Sequence, residues 1–273
     1  MSLGIAFKGP DGIVLAADSR VTLMGQAGEQ NLLFPAVYDN ASKLLRFEGQ
    51  RYVGAVTFGA GAIGITTPRT ASSYLPEFEE ELSREGTKRL GVEDFSKRLS
   101  SFFSRQWSAQ MPKDYTGPPM VFLVGGYDID EPYGRVFIFE IPGQPKPIEQ
   151  TVNEFGLAWG GQREIADRIL QGFDEGILGV LKSELGLPDA KLKSLRNKAK
   201  GTLSLPIPYQ FLPLQDSVDL AIFLIRATIA MQAWMVALRG VGGAIDVATI
   251  TRVKGFEYVQ SKTVKGEREL SSG

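Results

Sequence analysis

Short hydrophobic runs separated by turn-forming residues open the chain. Residues 3–8 and 12–18 predict two strands, and the Gly-Pro-Asp-Gly sequence around their junction is typical of a tight hairpin turn. After a predicted loop over 25–40, residues 43–47 and 52–57 predict a second pair of strands joined by a Glu-Gly-Gln turn. The chain is therefore expected to begin with a meander of four short strands.

Hydrophobic residues next recur at helical spacing, first around Phe78 and Leu82 and then from Phe95 through Leu99 to Trp107. Such spacing places the side chains on one face, so the pattern predicts two long amphipathic helices. The rest of the chain predicts strands at 120–127 and 135–141, a helix from near Gly161 through Leu170, a charged peripheral segment at 182–201, an apolar helix at 216–238 and closing strands at 245–250 and 256–259.

The order of these elements, strands then helices then strands again, indicates the fold class. The sequence has neither alternating βαβ units nor a glycine-rich nucleotide loop, so a doubly wound dinucleotide-binding fold is disfavoured. Two antiparallel sheets flanked by layers of helices explain the order better. We therefore predict an α+β protein with a single domain over residues 1–273, and one interpretation of 182–213 is an inserted arm.

Two residue counts exclude much catalytic chemistry, because the 273 residues include no histidine and no cysteine. A Ser-His-Asp triad, a thiolate nucleophile and a disulfide framework are therefore excluded. Zinc would lack both of its preferred ligands, so any metal would have to be a hard cation held by oxygens. We predict no metal site and no cofactor. If the protein is an enzyme, its base must be a carboxylate, a lysine or the amine at the start of the chain.

The charge balance argues against two classes of partner. The formal net charge is -1, with 30 basic and 31 acidic residues, so nucleic acid and anionic membranes are not expected partners. The first residues have no basic segment followed by an apolar run, as a signal peptide would, and the absence of cysteine agrees with a reducing compartment. We therefore expect a cytoplasmic protein, in which the apolar 216–238 segment is a buried helix rather than a membrane span.

Ser2 is the first candidate for chemistry. A small residue at position 2 permits removal of Met1, and the chain would then begin with a hydroxyl close to a free amine. An α-amino group has a pKa of roughly 7.7 to 8.0, so part of it is neutral at pH 7 and can accept a proton. A serine can therefore act as a nucleophile without histidine, although many proteins simply begin with Met-Ser.

The segment from Gly4 to Arg20 resembles the opening of proteasome β-type subunits, which are N-terminal nucleophile hydrolases. The resemblance rests on Gly-Ile-Ala-Phe-Lys and then on Asp-Gly-Ile-Val-Leu-Ala-Ala-Asp-Ser-Arg. Counted from Ser2, Asp18 falls at the position of the family's catalytic aspartate, and Arg20 matches the arginine of the same motif. The family's nucleophile is usually threonine, so Ser2 is a departure from it.

The same resemblance implies roles for two later positions. Lys43, in Ser-Lys-Leu, is similar to the family's lysine, which lies beside the nucleophile and pairs with the aspartate. The Gly-Ala-Gly run at 59–61 is similar to the glycine segment whose amide binds the oxyanion. Gly61 is the preferred donor and Gly59 the competing one, while Lys43 as a surface strand residue and packing at both glycines remain the alternative explanations.

Later segments resemble the family more weakly and depart from it. The Gly-Gly pairs at 160–161 and 242–243 look like family loops, but peptide-cleaving subunits carry a serine before the first pair and an aspartate and a serine before the second. Here the preceding residues are Trp159 at the first pair and Leu238 to Val241 at the second, with no hydroxyl or carboxylate. The network that orients the terminal amine would therefore differ from that of the family.

The resemblance implies a four-layer αββα sandwich and cleavage of peptide bonds through Ser2, with Asp18, Lys43, Gly61 and Arg20 in support. It also implies a homo-oligomeric ring of the bacterial type, with a tetradecamer as one candidate, that acts on peptides or unfolded proteins and could work with an unfoldase. Two alternatives stay open: a non-catalytic scaffold subunit and a small-molecule amidase of the same fold.

Overall fold

The computed structural model describes residues 2–27, 32–86, 88–236 and 238–266. Its strands are β1 (Leu3–Lys8), β2 (Ile13–Asp18), β3 (Val21–Ala27), β4 (Leu32–Tyr38), β5 (Leu44–Arg46), β6 (Val53–Gly59), β7 (Met120–Gly126), β8 (Arg135–Ile141), β9 (Gln144–Gln150), β10 (Gly156–Gly161), β11 (Ile245–Thr251) and β12 (Gly255–Gln260). Its α-helices are α1 (Leu75–Arg84), α2 (Val92–Gln110), α3 (Glu164–Gln171), α4 (Gly176–Leu185), α5 (Asp189–Leu203) and α6 (Leu214–Trp234).

Two five-stranded antiparallel sheets form the centre of the molecule. The first has the strand order β10-β1-β2-β11-β12, and the second has the order β5-β6-β7-β8-β9. Strands β3 and β4 pair as a separate hairpin. In the first sheet, Ile5 of β1 lies between Ala16 of β2 and Trp159 of β10, so the start of the chain is held on both sides.

Three clusters of buried residues show how the layers stack. One joins α1 and α2 to the second sheet, the next fills the space between the two sheets, and the last joins α3 and α6 to the first sheet. Side chains alternate between faces along a strand, so Ile5 packs towards the helices while Ala6 faces the other sheet. The order is helix, sheet, sheet, helix, which is the predicted αββα sandwich.

Several predicted strands have different partners from those expected. The four-strand meander is wrong, because β1 and β2 belong to one sheet while β5 and β6 belong to the other. The predicted loop over 25–40 is also wrong. In the described part of this range lie the end of β3 and all of β4, and the two strands pair with each other. A hydrophobic period predicts a strand but does not identify its partner, which depends on contacts between distant segments.

Besides β3 and β4, two further strands were not predicted from the sequence. β9 contains prolines at positions 145 and 147, and it lies at the edge of its sheet, where a missing amide donor is tolerated. β10 has the sequence Gly-Leu-Ala-Trp-Gly-Gly and includes the glycine pair that the sequence assigned to a loop, so the following helix begins at Glu164 and not near Gly161. Backbone pairing to β1 stabilises this glycine-rich strand despite its low intrinsic propensity.

The helices of the later chain differ in how much they bury. α4 has no buried residue and α5 has only Leu192, which agrees with the predicted peripheral segment. α6 is long and apolar enough, with a mean hydropathy of 1.3, to match a membrane-spanning helix by length and composition. One of its faces nevertheless packs on the first sheet through residues such as Ala221, Leu224 and Ile225.

Candidate active site

Asp18 is the centre of a buried hydrogen-bonded cluster at the end of β2. Its carboxylate is fully buried and accepts four hydrogen bonds. Oδ1 accepts the Leu3 N–H at 3.0 Å and the Lys43 Nζ at 2.9 Å. Oδ2 accepts the backbone N–H groups of Arg20 and Gly242, each at 3.0 Å. This many donors can stabilise an ionised carboxylate away from water.

Ser2 is held next to this cluster by its backbone. It precedes β1 directly and is only 4% exposed. Its carbonyl oxygen accepts the Gln162 N–H at 2.7 Å, and the next peptide N–H is the Leu3 donor to Asp18. A Cβ at Gly161 would overlap the Ser2 carbonyl oxygen, and φ there is +95°, so glycine is needed for β10 to approach Ser2.

Lys43 connects the Asp18 carboxylate to strand β5. It lies just before β5, and its Nζ donates to Asp18 and to the carbonyl oxygen of Arg20. The pKa of Lys43 is lowered from the ordinary 10.5, because burial disfavours the cation more than Asp18 favours it, and the charge of Lys262 adds to the lowering. Lys43 is therefore a buried group rather than the exposed strand residue that was the alternative.

Arg20 makes its side-chain contacts away from Asp18. Its Nε and second terminal nitrogen donate to the two carboxylate oxygens of Asp39 at 2.6 and 2.8 Å, and its other terminal nitrogen donates to the Arg239 carbonyl oxygen at 3.4 Å. The hydrogen bonds from Arg20 lower the pKa of Asp39. Arg20 thus holds the loops around the site, while its backbone N–H and carbonyl contact Asp18 and Lys43.

The two candidate glycines differ in their surroundings. Gly59 has φ of +87°, and a Cβ there would overlap the Pro119 carbonyl oxygen, so backbone packing requires glycine at this position. At Gly61 a Cβ would meet only the Val21 side chain, at 3.4 Å. Within the described chain, no hydrogen bond uses the Gly61 N–H. Backbone packing therefore explains why position 59 is a glycine, whereas the Gly61 N–H is able to donate a hydrogen bond to a bound group.

Three of the five candidate residues line one small cavity. Ser2, Lys43 and Gly61 line it together with Thr57 and other residues, and its volume is about 20 Å³, the space of one water molecule. The Thr57 hydroxyl is buried and has no hydrogen-bond partner among the residues that the structure describes. Sequence reasoning missed Thr57, because a threonine two residues before a glycine in a buried strand carries no catalytic signal.

The chemistry available to this cavity is limited by its composition. It combines a serine hydroxyl, a lysine that pairs with a buried aspartate, and a backbone amide in a site that excludes most water. In the ranges that the structure covers, no group of three or more acidic side chains is arranged to hold a metal ion. The arrangement fits acyl transfer to a hydroxyl, because its groups supply a nucleophile, a charged pair and an amide donor.

No family model matches the chain. Among curated proteins, the E3 ubiquitin-protein ligase ORTHRUS 3 of Arabidopsis thaliana is 26% identical over 171 residues, which is 59% of this chain. The aligned part is only 23% of the length of that ligase. This similarity therefore does not identify a function.

Among solved structures, a mutant of Anbu from Hyphomicrobium sp. strain MC1 is similar over nearly the whole chain. The TM-score is 0.57 and the sequence identity 17%, and the match covers 98% of this chain and 89% of that one. Anbu has the N-terminal nucleophile hydrolase fold. The similarity confirms the predicted α+β sandwich at the level of the fold.

Proposed function

We propose that this protein is a proteasome-like N-terminal nucleophile hydrolase that cleaves peptide bonds through Ser2 after removal of Met1. The observation that carries the proposal is the shared carboxylate oxygen of Asp18, which accepts both the Leu3 N–H, one residue from Ser2, and the Lys43 Nζ. One buried acidic group thus holds the nucleophile's segment and the lysine together. Met1 itself lies outside the described residues.

In the proposed reaction, Ser2 supplies both the nucleophile and the base. Its Oγ attacks the carbonyl carbon of the scissile amide, and the hydroxyl proton passes to the α-amine of Ser2. Collapse of the tetrahedral intermediate breaks the carbon–nitrogen bond, and the amine returns the proton to the leaving nitrogen. Water then attacks the seryl ester and gives a proton to the amine, which transfers it to Oγ as the ester bond breaks.

Two other groups lower the barrier in this scheme. The Lys43 ammonium, fixed by Asp18, favours deprotonation of the nearby hydroxyl and amine through its positive charge. The Gly61 N–H is the proposed donor to the oxyanion, and such a donor is worth about 2.7 to 4 kcal/mol in other acyl-transfer enzymes. Arg20 supports Lys43 and Gly61 indirectly, because its side chain holds Asp39 and the loop at Arg239.

The remaining elements of the proposal concern assembly and partners. A ring of identical subunits, with a tetradecamer as one candidate, would place the sites in an enclosed space that admits short peptides or unfolded chains. An unfoldase could then supply the substrate, and the cytoplasm is the proposed compartment. Support for this comes from the fold shared with Anbu and from the resemblance of residues 4–20 to proteasome β-type subunits.

The proposal is tested by intact mass and by covalent labelling of the purified full chain. We expect a mass that lacks Met1, and a β-lactone, which acylates activated hydroxyls, should modify Ser2 as located by peptide mapping. Ser2→Ala should abolish the modification. Ser42→Ala is the matched control, because Ser42 lines the same cavity and should not affect labelling.

Two results would contradict the mechanism. Retention of Met1 would leave the Ser2 nitrogen in a peptide bond, where it cannot act as a base. Equal labelling of the wild type and of Ser2→Ala would assign the reactive hydroxyl to another residue.

A non-catalytic scaffold is the second candidate function. It is favoured by the two glycine pairs, one at the end of β10 and one in the loop before β11, which are preceded by Trp159 and Val241 where the peptide-cleaving members of the family that this sequence resembles have hydroxyl groups. In that case the protein would assemble but show no labelling at Ser2. Labelling at Ser2 in a protein that stays monomeric and does not cleave peptides would instead favour a small-molecule amidase.

A further inference from the structure

Gln232 is a buried residue whose side-chain amide has partners at both ends. It lies near the end of α6 and is 8% exposed. Its Nε2 donates to the side-chain Oε1 of Gln162 at 2.8 Å, and its Oε1 accepts the backbone N–H of Val241 at 3.0 Å. One carboxamide therefore connects the end of α6 with two separate loops.

The direction of this bridge is determined by its backbone partner. A peptide N–H can only donate, so the Val241 contact requires the oxygen of the Gln232 amide on that side. The Nε2 group must then face Gln162, whose Oε1 accepts it. Both ends of the amide are matched in donor and acceptor character, and a substitution that breaks either end leaves a buried polar group unpaired.

The two bridged loops hold opposite sides of the candidate site. On one side, the Gln162 N–H donates to the Ser2 carbonyl oxygen at 2.7 Å. On the other, the Gly242 N–H donates to Asp18 Oδ2 at 3.0 Å, and the Gly242 carbonyl accepts the Ser19 N–H at 3.0 Å. Gln232 thus connects the loop that holds Ser2 with the loop that holds Asp18.

We propose that Gln232, acting with Gln162, is a positioning residue that orients the Ser2 amine and hydroxyl relative to the Asp18–Lys43 pair. The inference rests on the proposed hydrolase function. The residues before the two glycine pairs, Trp159 in β10 and Val241 in the loop before β11, carry no hydroxyl or carboxylate, and the Gln232 amide joins Gln162, just after β10, to Val241. The bridge holds Gln162, whose backbone N–H in turn fixes the Ser2 carbonyl oxygen. The bonds from the Ser2 Cα to its amine and its side chain are thereby oriented.

The test measures reaction rate and loop opening in the same variants. Gln232→Leu keeps the approximate volume and removes both hydrogen bonds. Gln215→Leu is the control on the same helix, because Gln215 is exposed and its side chain donates a hydrogen bond to the Asp219 side chain, also in α6. Thr228→Val is the stability control, since its buried hydroxyl donates within α6 to the Leu224 carbonyl, away from the site.

For Gln232→Leu, we expect the limiting rate constant of Ser2 labelling by a β-lactone to fall about 10- to 100-fold. The lactone concentration that gives half the maximal rate should stay unchanged, because the defect is in orientation rather than in binding. Hydrogen exchange should also become faster in the peptides that contain Gln162 and Gly242. Neither change is expected in Gln215→Leu or in Thr228→Val, even if Thr228→Val lowers the melting temperature as much as Gln232→Leu does.

Different failures have different meanings. Wild-type labelling kinetics and unchanged exchange in Gln232→Leu would overturn the positioning role and leave the proposed hydrolase function intact. A rate loss of the same size in Thr228→Val would also overturn it, since general loss of stability would then explain the effect. Absence of any Ser2 labelling in the wild type would overturn the proposed function and, with it, this inference.

Discussion

Asp18 shows most directly how a single residue depends on its surroundings. A carboxylate with no exposure would be very costly if it stood alone, but here it is matched by the Lys43 ammonium and by three backbone N–H groups. The partners come from β1, from the turn after β2, from the residue just before β5 and from the loop before β11. Asp18 therefore joins its own turn to three segments that are more distant in the sequence.

Removal of this carboxylate should destabilise the fold strongly. We expect Asp18→Ala to lower the free energy of unfolding by about 3 to 5 kcal/mol, because Lys43 would be left buried without its counter-charge. Urea denaturation would measure the change. Asp39→Ala is the matched control: it also removes a carboxylate from a basic partner, Arg20, but at a site where the Asp39 side chain is 42% exposed, so the loss should be at most about 1 kcal/mol. Equal losses would contradict the special role of Asp18.

The lowered pKa of Lys43 leads to a prediction for the pH dependence of the reaction. A lysine whose pKa lies below 10.5 loses its positive charge at a lower pH than a free lysine does. Because the cation is the form that activates Ser2, labelling of Ser2 should decline as the pH rises through that lowered value. In the Lys43→Arg variant, the side chain at position 43 stays charged to above about pH 12. Labelling of Ser2 in this variant should therefore show no such decline below pH 10.5, even where its maximal rate differs from that of the wild type. A decline at the same pH in both proteins would assign it to another group.

At the scale of the elements, the predictions succeeded where burial on both faces gave a clear signal. β1 and β2 are nearly all apolar and are flanked by glycine and charged residues, so their limits were close to those observed. β10 was missed because three of its six residues are glycines, and only its pairing with β1 makes it a strand. The glycine at 161 then lets the chain pass close to Ser2, a requirement that no local pattern contains.

The segment with α4 and α5 is expected to be dispensable for folding. It buries only Leu192, whereas the following residues Ile207, Tyr209 and Leu212 pack on the cluster below α6. We expect replacement of residues 176–203 by a flexible linker of roughly twelve Gly and Ser residues to leave the melting temperature within about 4 °C of the wild type, which corresponds to about 1 kcal/mol or less. Differential scanning calorimetry would show this.

A matched comparison for that prediction is Leu224→Ala in α6. Leu224 is fully buried, and its truncation should cost about 2 to 5 kcal/mol. If the linker variant lost as much stability as Leu224→Ala, the segment would be part of the folding core rather than an inserted arm.

At the scale of the whole molecule, α6 has apolar residues on its outer face as well as on its inner one. Phe223, Met231 and Trp234 are spaced to share one side of the helix, and they are exposed by 52%, 41% and 78%. Exposed apolar stripes of this kind are typical of protein interfaces. This surface is consistent with the proposed self-assembly.

The assembly is tested by sedimentation of the purified chain at micromolar concentration. We expect a species several times heavier than the 29.8 kDa chain, and Trp234→Lys should shift it towards the monomer. Val253→Lys is the control, because Val253 is also highly exposed but lies in the turn between β11 and β12. A wild-type monomer under these conditions would contradict the ring.

The amino-acid sequence alone determined which chemistry was open to this chain and where most of its buried segments lie. The absence of histidine and cysteine, the motif around Asp18 and the apolar runs are properties of composition and local order, and they can be read without a fold. The tertiary structure alone decided that Asp18, Lys43 and Ser2 meet, that Thr57 joins their cavity and that Gln232 bridges the two loops. The contacts around Asp18 join residues as much as 224 positions apart, as in its hydrogen bond with Gly242, and they depend on tertiary packing that no local pattern specifies.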